Sequence, residues 1–213
     1  MSYPPPPWIN KGRAVQILRL VDVKRACSFV PAPLRVVPVL PGKTIGIVFF
    51  ADYQPGSAIT YHELIIAPAL VRLGRHFGWW ISHIYVDDAD SMAGGREVWG
   101  LPKELARFNW NLPAGQVEAY QDNRLLCALL SQAPARGVRL PLFLPSISQH
   151  GSRLLAFCGS LSSEVGLSPA TVEIPTTSPF ATLNLSGPGR AFHFKNMTFT
   201  AGAPWTIGQS HAE

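Results

Sequence analysis

The chain has 213 residues, 47% of them apolar and only 15% charged, which allows one sizeable core and leaves fewer charges than the ~25% usual for a soluble domain. Net charge is +5, but Lys and Arg are scattered and the densest cluster is the pair Lys24-Arg25, which argues against a nucleic-acid-binding stripe. No apolar stretch reaches the ~18 residues a membrane helix needs, and three widely spaced cysteines (Cys27, Cys127, Cys158) fit neither a disulfide framework nor a zinc site.

In chain order, Pro4 to Pro7 within residues 1–10 are expected to form an extended arm, and Ala14 to Leu20 a first strand. Asp22 is a good N-cap for a short helix that Pro31 would stop. Arg35 to Val39 and Ile45 to Phe50 read as strands around a turn at Pro41-Gly42. Thr60 to Val71, broken by Pro68, and Trp79 to Val86 follow as strands. Asp87, Asp88, Asp90 and Ser91 can cap a helix through Met92, Arg96, Val98 and Trp99, ended by Pro102. Val117–Tyr120 and Leu125–Leu129 flank the hairpin signal Asp122-Asn123, and Leu142–Ile147 and Leu154–Phe157 flank His150-Gly151. Thr171–Ile174 and Phe192–Phe199 close the pattern. With 20 prolines and 18 glycines for turns and no internal repeat or linker, residues 1–213 read as one mostly β domain, either all-β or α+β, a barrel or a sandwich.

The N-terminus lacks the basic start and apolar middle of a signal peptide, and the cysteine usage fits a reducing compartment. A soluble, cytoplasmic protein is expected. Low charge content points to a homo-oligomer.

The segment richest in chemistry is Gly95-Arg96-Glu97-Val98-Trp99-Gly100-Leu101-Pro102-Lys103-Glu104-Leu105. A lysine follows a helix end between apolar neighbours, where burial would disfavour the ammonium. A lysine of ordinary pKa, about 10.4, is almost wholly protonated at neutral pH, and a drop to about 7 raises the neutral fraction roughly a thousandfold. A neutral amine adds to a carbonyl and loses water, giving an iminium that acts as an electron sink. The bland alternative is a surface lysine beside Glu104.

This segment resembles the signature of the acetoacetate decarboxylase family, in which Gly-Arg-Glu precedes Pro-Lys by a few residues. Val30-Pro31-Ala32-Pro33-Leu34 and Tyr61-His62-Glu63 resemble two further family segments in the same order, so the likeness covers roughly residues 10 to 110. It also resembles the family's short cyanobacterial and plant branch, which includes plant proteins needed for neoxanthin accumulation. The resemblance implies an α+β, mostly β, barrel- or cone-like fold with a few short helices. It implies Lys103 as the Schiff-base lysine and Glu63 as the carboxylate that moves protons or orients substrate, acting on a keto acid without metal or organic cofactor. Tyr61 and Trp99 would line the pocket, and Arg13, His62, Arg96 and Glu104 are further candidates for substrate contact. Arg96 and Glu97 are also expected to pair with each other at the helix end. The family's second lysine is replaced by Glu104, its second glutamate falls at Val48, and its substrate arginine falls at Gly12 or Arg13. These departures favour a second possibility, a non-catalytic binder of an apolar, carotenoid-related molecule.

The six histidines show no metal spacing. Phe77-Gly78-Trp79-Trp80 reads as core or interface. Gly159-Ser160-Leu161-Ser162 lacks the last glycine of a nucleophile elbow, and Gly187-Pro188-Gly189-Arg190 lacks the Lys-Ser/Thr of a phosphate loop.

Overall fold

The computed structural model describes residues 3–111, 115–134 and 137–210. The first strand, β1 (Trp8–Asp22), leads into helix α1 (Val23–Cys27), and β2 (Arg35–Val36), β3 (Lys43–Tyr53), β4 (Tyr61–Ala67), β5 (Ala69–Leu73), β6 (His76–Trp80) and β7 (His83–Val86) follow. Helix α2 (Ala89–Trp99) precedes β8 (Lys103–Leu105), β9 (Arg107–Asn111), β10 (Gln116–Gln121) and β11 (Arg124–Ser131). The long strands β12 (Val138–His150), β13 (Arg153–Glu173) and β14 (Gly187–Ala201) and the short β15 (Trp205–Gln209) complete the chain.

All fifteen strands join one sheet, whose main path runs β2-β5-β6-β12-β13-β14-β1-β3-β4-β7-β8. Among the described residues the path has two ends, so the sheet does not close on itself, and "barrel" describes it only loosely. β13 is the hub: it pairs with β12 and β14 along its length, with β15 near its start and with β11 near its end.

Several sequence expectations are corrected. Residues 8–10 are not part of a free arm: Trp8 is 2% exposed, begins β1, and donates its indole N–H to the Pro4 carbonyl at 2.7 Å. The first helix ends at Cys27, ahead of Pro31, and α2 is ended by Gly100 rather than Pro102. Gly100 adopts φ +62°, a conformation that favours glycine, and a Cβ there would meet the Gln149 carbonyl oxygen at 2.6 Å. Thr60–Val71 is divided at Pro68 as expected, into Tyr61–Ala67 and a strand that runs on to Leu73. Trp79–Val86 divides at Ile81-Ser82, where the chain leaves β5 and β12 to pair with β4. The hairpin at Asp122-Asn123 forms with both residues at positive φ (49° and 61°), the twist a two-residue turn needs.

Strand alternation sorts the side chains onto two faces. On one, Val48, Phe50, Leu64 and Ile66 join the main core with Ile17, Tyr85 and Phe180. On the other, Ala51, Tyr53 and Tyr61 face a second cluster with Phe194 and Met197, and Trp8, Ile84, Trp99 and Phe157 form a third beneath α2. Glu63 and Lys103 lie on this second face.

Candidate functional site

Strand β4 presents Tyr61, Glu63, Ile65 and Ala67 on one side, so His62 must point to the other. The parallel pairing of β7 with β8 sets Ile84 opposite Lys103, which brings Lys103 alongside β4 through β7. The extended backbone at β8 turns Lys103 inward and Glu104 outward. Lys103 is 3% exposed and Glu63 4%.

The Lys103 Nζ lies 3.0 Å from Glu63 Oε1. It also donates to Ser91 Oγ at 2.9 Å and to Tyr61 Oη at 3.4 Å, so its three donors meet three acceptors. Glu63 in turn accepts from the Tyr53 hydroxyl at 3.1 Å and from the Tyr61 hydroxyl at 3.3 Å. Burial first, and then the Glu63 charge, push both phenols well above their usual range, so they stay protonated donors. The Tyr61 and Trp8 rings lie 4.8 and 5.8 Å from the ammonium.

The glycine-rich start of the signature has a packing reason. A Cβ on Gly95 would sit 2.4 Å from Lys103 Cδ and 2.6 Å from Cε, so only glycine lets the lysine stem pass against α2. A Cβ on Gly94 would meet the Trp8 ring at 2.7 Å. Arg96 donates its Nε to the Lys103 carbonyl at 2.6 Å, clamping the lysine's backbone to the helix end. Glu97 accepts from the Tyr3 hydroxyl, and no Arg96–Glu97 pair forms among the described residues. The helix is capped by Asp88, which accepts from the Ser91 N–H at 2.7 Å and leaves the Ser91 hydroxyl free for Lys103.

In front of the pair is a cavity of about 150 Å3. Its roof includes Trp8, Gly95, Trp99 and Leu101, and its far wall includes Leu144, Phe157, Leu161, Phe194 and Phe199. Trp99 anchors its indole on the Gly202 carbonyl at 2.8 Å and meets the Trp8 ring edge-on at 4.8 Å. Among the described residues lining it, Lys103 is the one cation and Glu63 the one anion.

Lys103, Glu63, Tyr61 and Trp99 are thus brought together, and four other candidates are not. Arg13 pairs with Asp52 at 2.8 Å and lies over the Trp110 ring at 5.8 Å, bordering a separate wide depression of about 990 Å3. His62 hydrogen-bonds Asp87 at 2.6 Å and stacks on Phe108 and Trp110. That hydrogen bond raises the His62 pKa above its usual value. Arg96 and Glu104 are exposed, with Glu104 accepting from Gln121 at 2.8 Å. Val48 is fully buried in the main core and faces away from the cavity, which takes Ile47 and Phe49 from β3 instead.

Sequence reasoning missed Trp8, Asn10, Tyr53 and the role of Ser91. Trp8 and Asn10 were hidden in the expected arm, Tyr53 lay past the expected end of its strand, and Ser91 read as a helix cap. Among the described residues no group of three or more His, Cys, Asp or Glu is placed to hold a metal, and no helix is long and apolar enough to cross a membrane.

Fold and site together define a protein built on one large sheet with a buried lysine–carboxylate pair at the end of a small apolar pocket. The chain belongs to the acetoacetate decarboxylase family, whose model, described as "Acetoacetate decarboxylase (ADC)", matches residues 1–129. It is 33% identical over 114 residues to Protein NEOXANTHIN-DEFICIENT 1 of Solanum lycopersicum, covering 54% of this chain and 38% of that protein. It is 32% identical over 112 residues to Acetoacetate decarboxylase 1 of Bradyrhizobium diazoefficiens, covering 50% and 41%. The chain therefore matches about two fifths of the length of these curated relatives. Among solved structures, acetoacetate decarboxylase from Legionella pneumophila superposes with TM-score 0.74 at 17% identity, covering 98% of this chain and 90% of that one. The enduracididine biosynthesis enzyme MppR complexed with pyruvate gives 0.72 at 19% identity, covering 96% and 91%. At these identities the likeness is one of fold.

Proposed function

We propose that the chain is a Schiff-base enzyme that transforms a small carbonyl compound through an iminium at Lys103. The observation that carries this reading is a 3%-exposed lysine, 3.0 Å from an equally buried carboxylate, with an apolar cavity before it. A buried ammonium of any role needs such partners; what a purely structural lysine would not need is the apolar cavity in front of it.

Lys103 passes a proton to Glu63, and the neutral amine attacks the carbonyl carbon. The C–N bond forms, two nitrogen-derived protons leave with the oxygen as water, and the iminium keeps the single positive charge opposite Glu63. The iminium accepts an electron pair from a neighbouring bond, either C–CO2 in a keto acid or C–H beside the carbonyl, and Glu63 manages the proton. Tyr53 and Tyr61 hold the carboxylate in position. The keto-acid decarboxylase chemistry expected of the family is one form of this scheme, and a lyase with no metal or organic cofactor follows from it.

A second reading, non-catalytic binding of an apolar carotenoid-related molecule, draws on the aromatic lining. The volume weighs against it: about 150 Å3 suits a benzene-sized guest, and a long polyene would protrude. The proposal keeps one domain, a homo-oligomer and a cytoplasmic setting, with light scattering as the check on assembly.

Borohydride reduction in the presence of small carbonyl compounds, followed by peptide mass mapping, tests the reading. An adduct on Lys103 that is absent in Lys103→Ala supports it. No adduct with any carbonyl overturns it and favours the binding reading.

A further inference from the structure

We infer that the pocket is built for an uncharged carbonyl compound carrying a hydroxyl group, with Asn10 as the residue that selects it. This rests on the Schiff-base reading and narrows its substrate from a keto acid to a neutral hydroxy-ketone or hydroxy-aldehyde.

The first argument is charge. The resting cavity holds one ammonium and one carboxylate, and no arginine lines it among the described residues. Arg13, the family-based candidate for holding a substrate carboxylate, is paired with Asp52 outside the cavity. A neutral carbonyl converts the Lys103 ammonium into an iminium plus water, and the site keeps one positive charge against Glu63. A keto acid goes through the same balanced step but leaves an additional buried anion among Trp, Phe, Ile and Leu side chains, with no partner to offset its desolvation.

The second argument is an orphaned acceptor. Asn10 is 2% exposed, lines the cavity, and its Oδ1 has no hydrogen-bond partner. Of the other polar groups lining the cavity, Tyr53 and Tyr61 donate to Glu63 and the Ser146 hydroxyl donates to the Leu144 carbonyl at 3.3 Å, while Gln16 is only half-buried and so not a desolvated orphan. A buried amide oxygen without a donor is costly, and this one belongs to a residue that lines the space a ligand would fill. Asn10 shares its strand face with Trp8, whose ring is 5.8 Å from the Lys103 ammonium, and both line the cavity that Lys103 enters. A hydroxyl both donates and accepts, so it satisfies the amide whichever way the group is turned.

The experiment compares borohydride trapping of hydroxyacetone, acetone and acetoacetate on the full chain, with the adduct mapped to Lys103. The expected result is hydroxyacetone over acetone by about tenfold, the scale of one satisfied buried acceptor, with acetoacetate weakest. In Asn10→Ala and in Asn10→Leu the hydroxyacetone-to-acetone ratio should fall to about one. Trapping of acetoacetate ahead of hydroxyacetone, or equal trapping of hydroxyacetone and acetone by the wild type, overturns the inference and leaves the Schiff-base reading standing. Absence of any Lys103 adduct removes the reading beneath it. The wild-type comparison decides the matter even if an Asn10 variant does not fold.

Discussion

Gly95→Ala separates the pocket's chemistry from its stability. The added methyl would lie 2.4 Å from Lys103 Cδ and 2.6 Å from Cε, with the helix backbone on one side and the Glu63 pair on the other. Relief requires the lysine stem to move by about 1 Å, a displacement that can cost roughly a hundredfold at a reacting centre. Overpacking costs about 1–3 kcal/mol, while alanine in the helix interior returns about 1 kcal/mol relative to glycine. The net is a loss of about 0–2 kcal/mol, and for a chain of this size Tm should fall by less than about 8 °C. The assay is the rate of adduct formation at Lys103 under borohydride, beside a thermal melt. A folded Gly95→Ala protein that traps carbonyls at the wild-type rate would refute the claim that the Lys103 stem needs the bare face of α2.

Other perturbations test neighbouring parts of the argument. Glu63→Gln leaves Lys103 buried without its partner and should cost about 3–5 kcal/mol in urea unfolding; Glu63→Gln combined with Lys103→Met should be more stable than Glu63→Gln alone, and a cycle without such coupling would deny the pair. His62 binds its proton more tightly when folded because of the Asp87 hydrogen bond, so its stabilisation is full below the ordinary value of 6.5 and is lost as pH rises through the raised folded value. His62→Gln should flatten stability over that window, and an NMR titration locates it. Alkaline spectrophotometric titration should find Tyr85 ionising only near about 12, its pKa raised by burial, and Tyr53 and Tyr61 silent until the protein unfolds.

The site was legible in the sequence where chemistry and packing coincide in a short segment. Gly95 to Lys103 carries its own geometry: a bare helix face, an arginine that clamps the lysine's carbonyl, a left-handed glycine and then the lysine. Glu63 was legible for the same reason, since alternation in β4 fixes which of His62 and Glu63 faces inward once one is placed. His62, Arg96 and Glu104 lie outside the cavity because closeness in sequence does not decide the face of a strand or helix, and Arg13, carried over from the resemblance, lies outside it paired with Asp52. Val48 shows the parity problem sharply: one residue either way, at Ile47 or Phe49, lies the cavity, and Val48 itself lies in the core. The long strands were underestimated where serines and glycines interrupt the apolar signal, as in Gly159 to Ser168 of β13. Their strand character comes from pairing on both sides rather than from local composition.

The cavity is assembled from two stretches of chain with different duties. Lys103, Glu63, Tyr53, Tyr61 and Ser91 all lie within residues 1–129, the part matched by the family model. Trp8, Trp99 and Leu101 of the roof also come from within it, while Leu144, Phe157, Gly159, Leu161, Phe194 and Phe199, which form the far wall, all come from beyond it. Gly159 is one such determinant, since a methyl there would press on Phe199 at 2.5 Å. Changes along β12, β13 and β14 can therefore recut one wall of the mould without touching Lys103. For a protein engineer the later strands are an interchangeable wall, and libraries confined to them would reshape the cavity while leaving Lys103 and Glu63 alone.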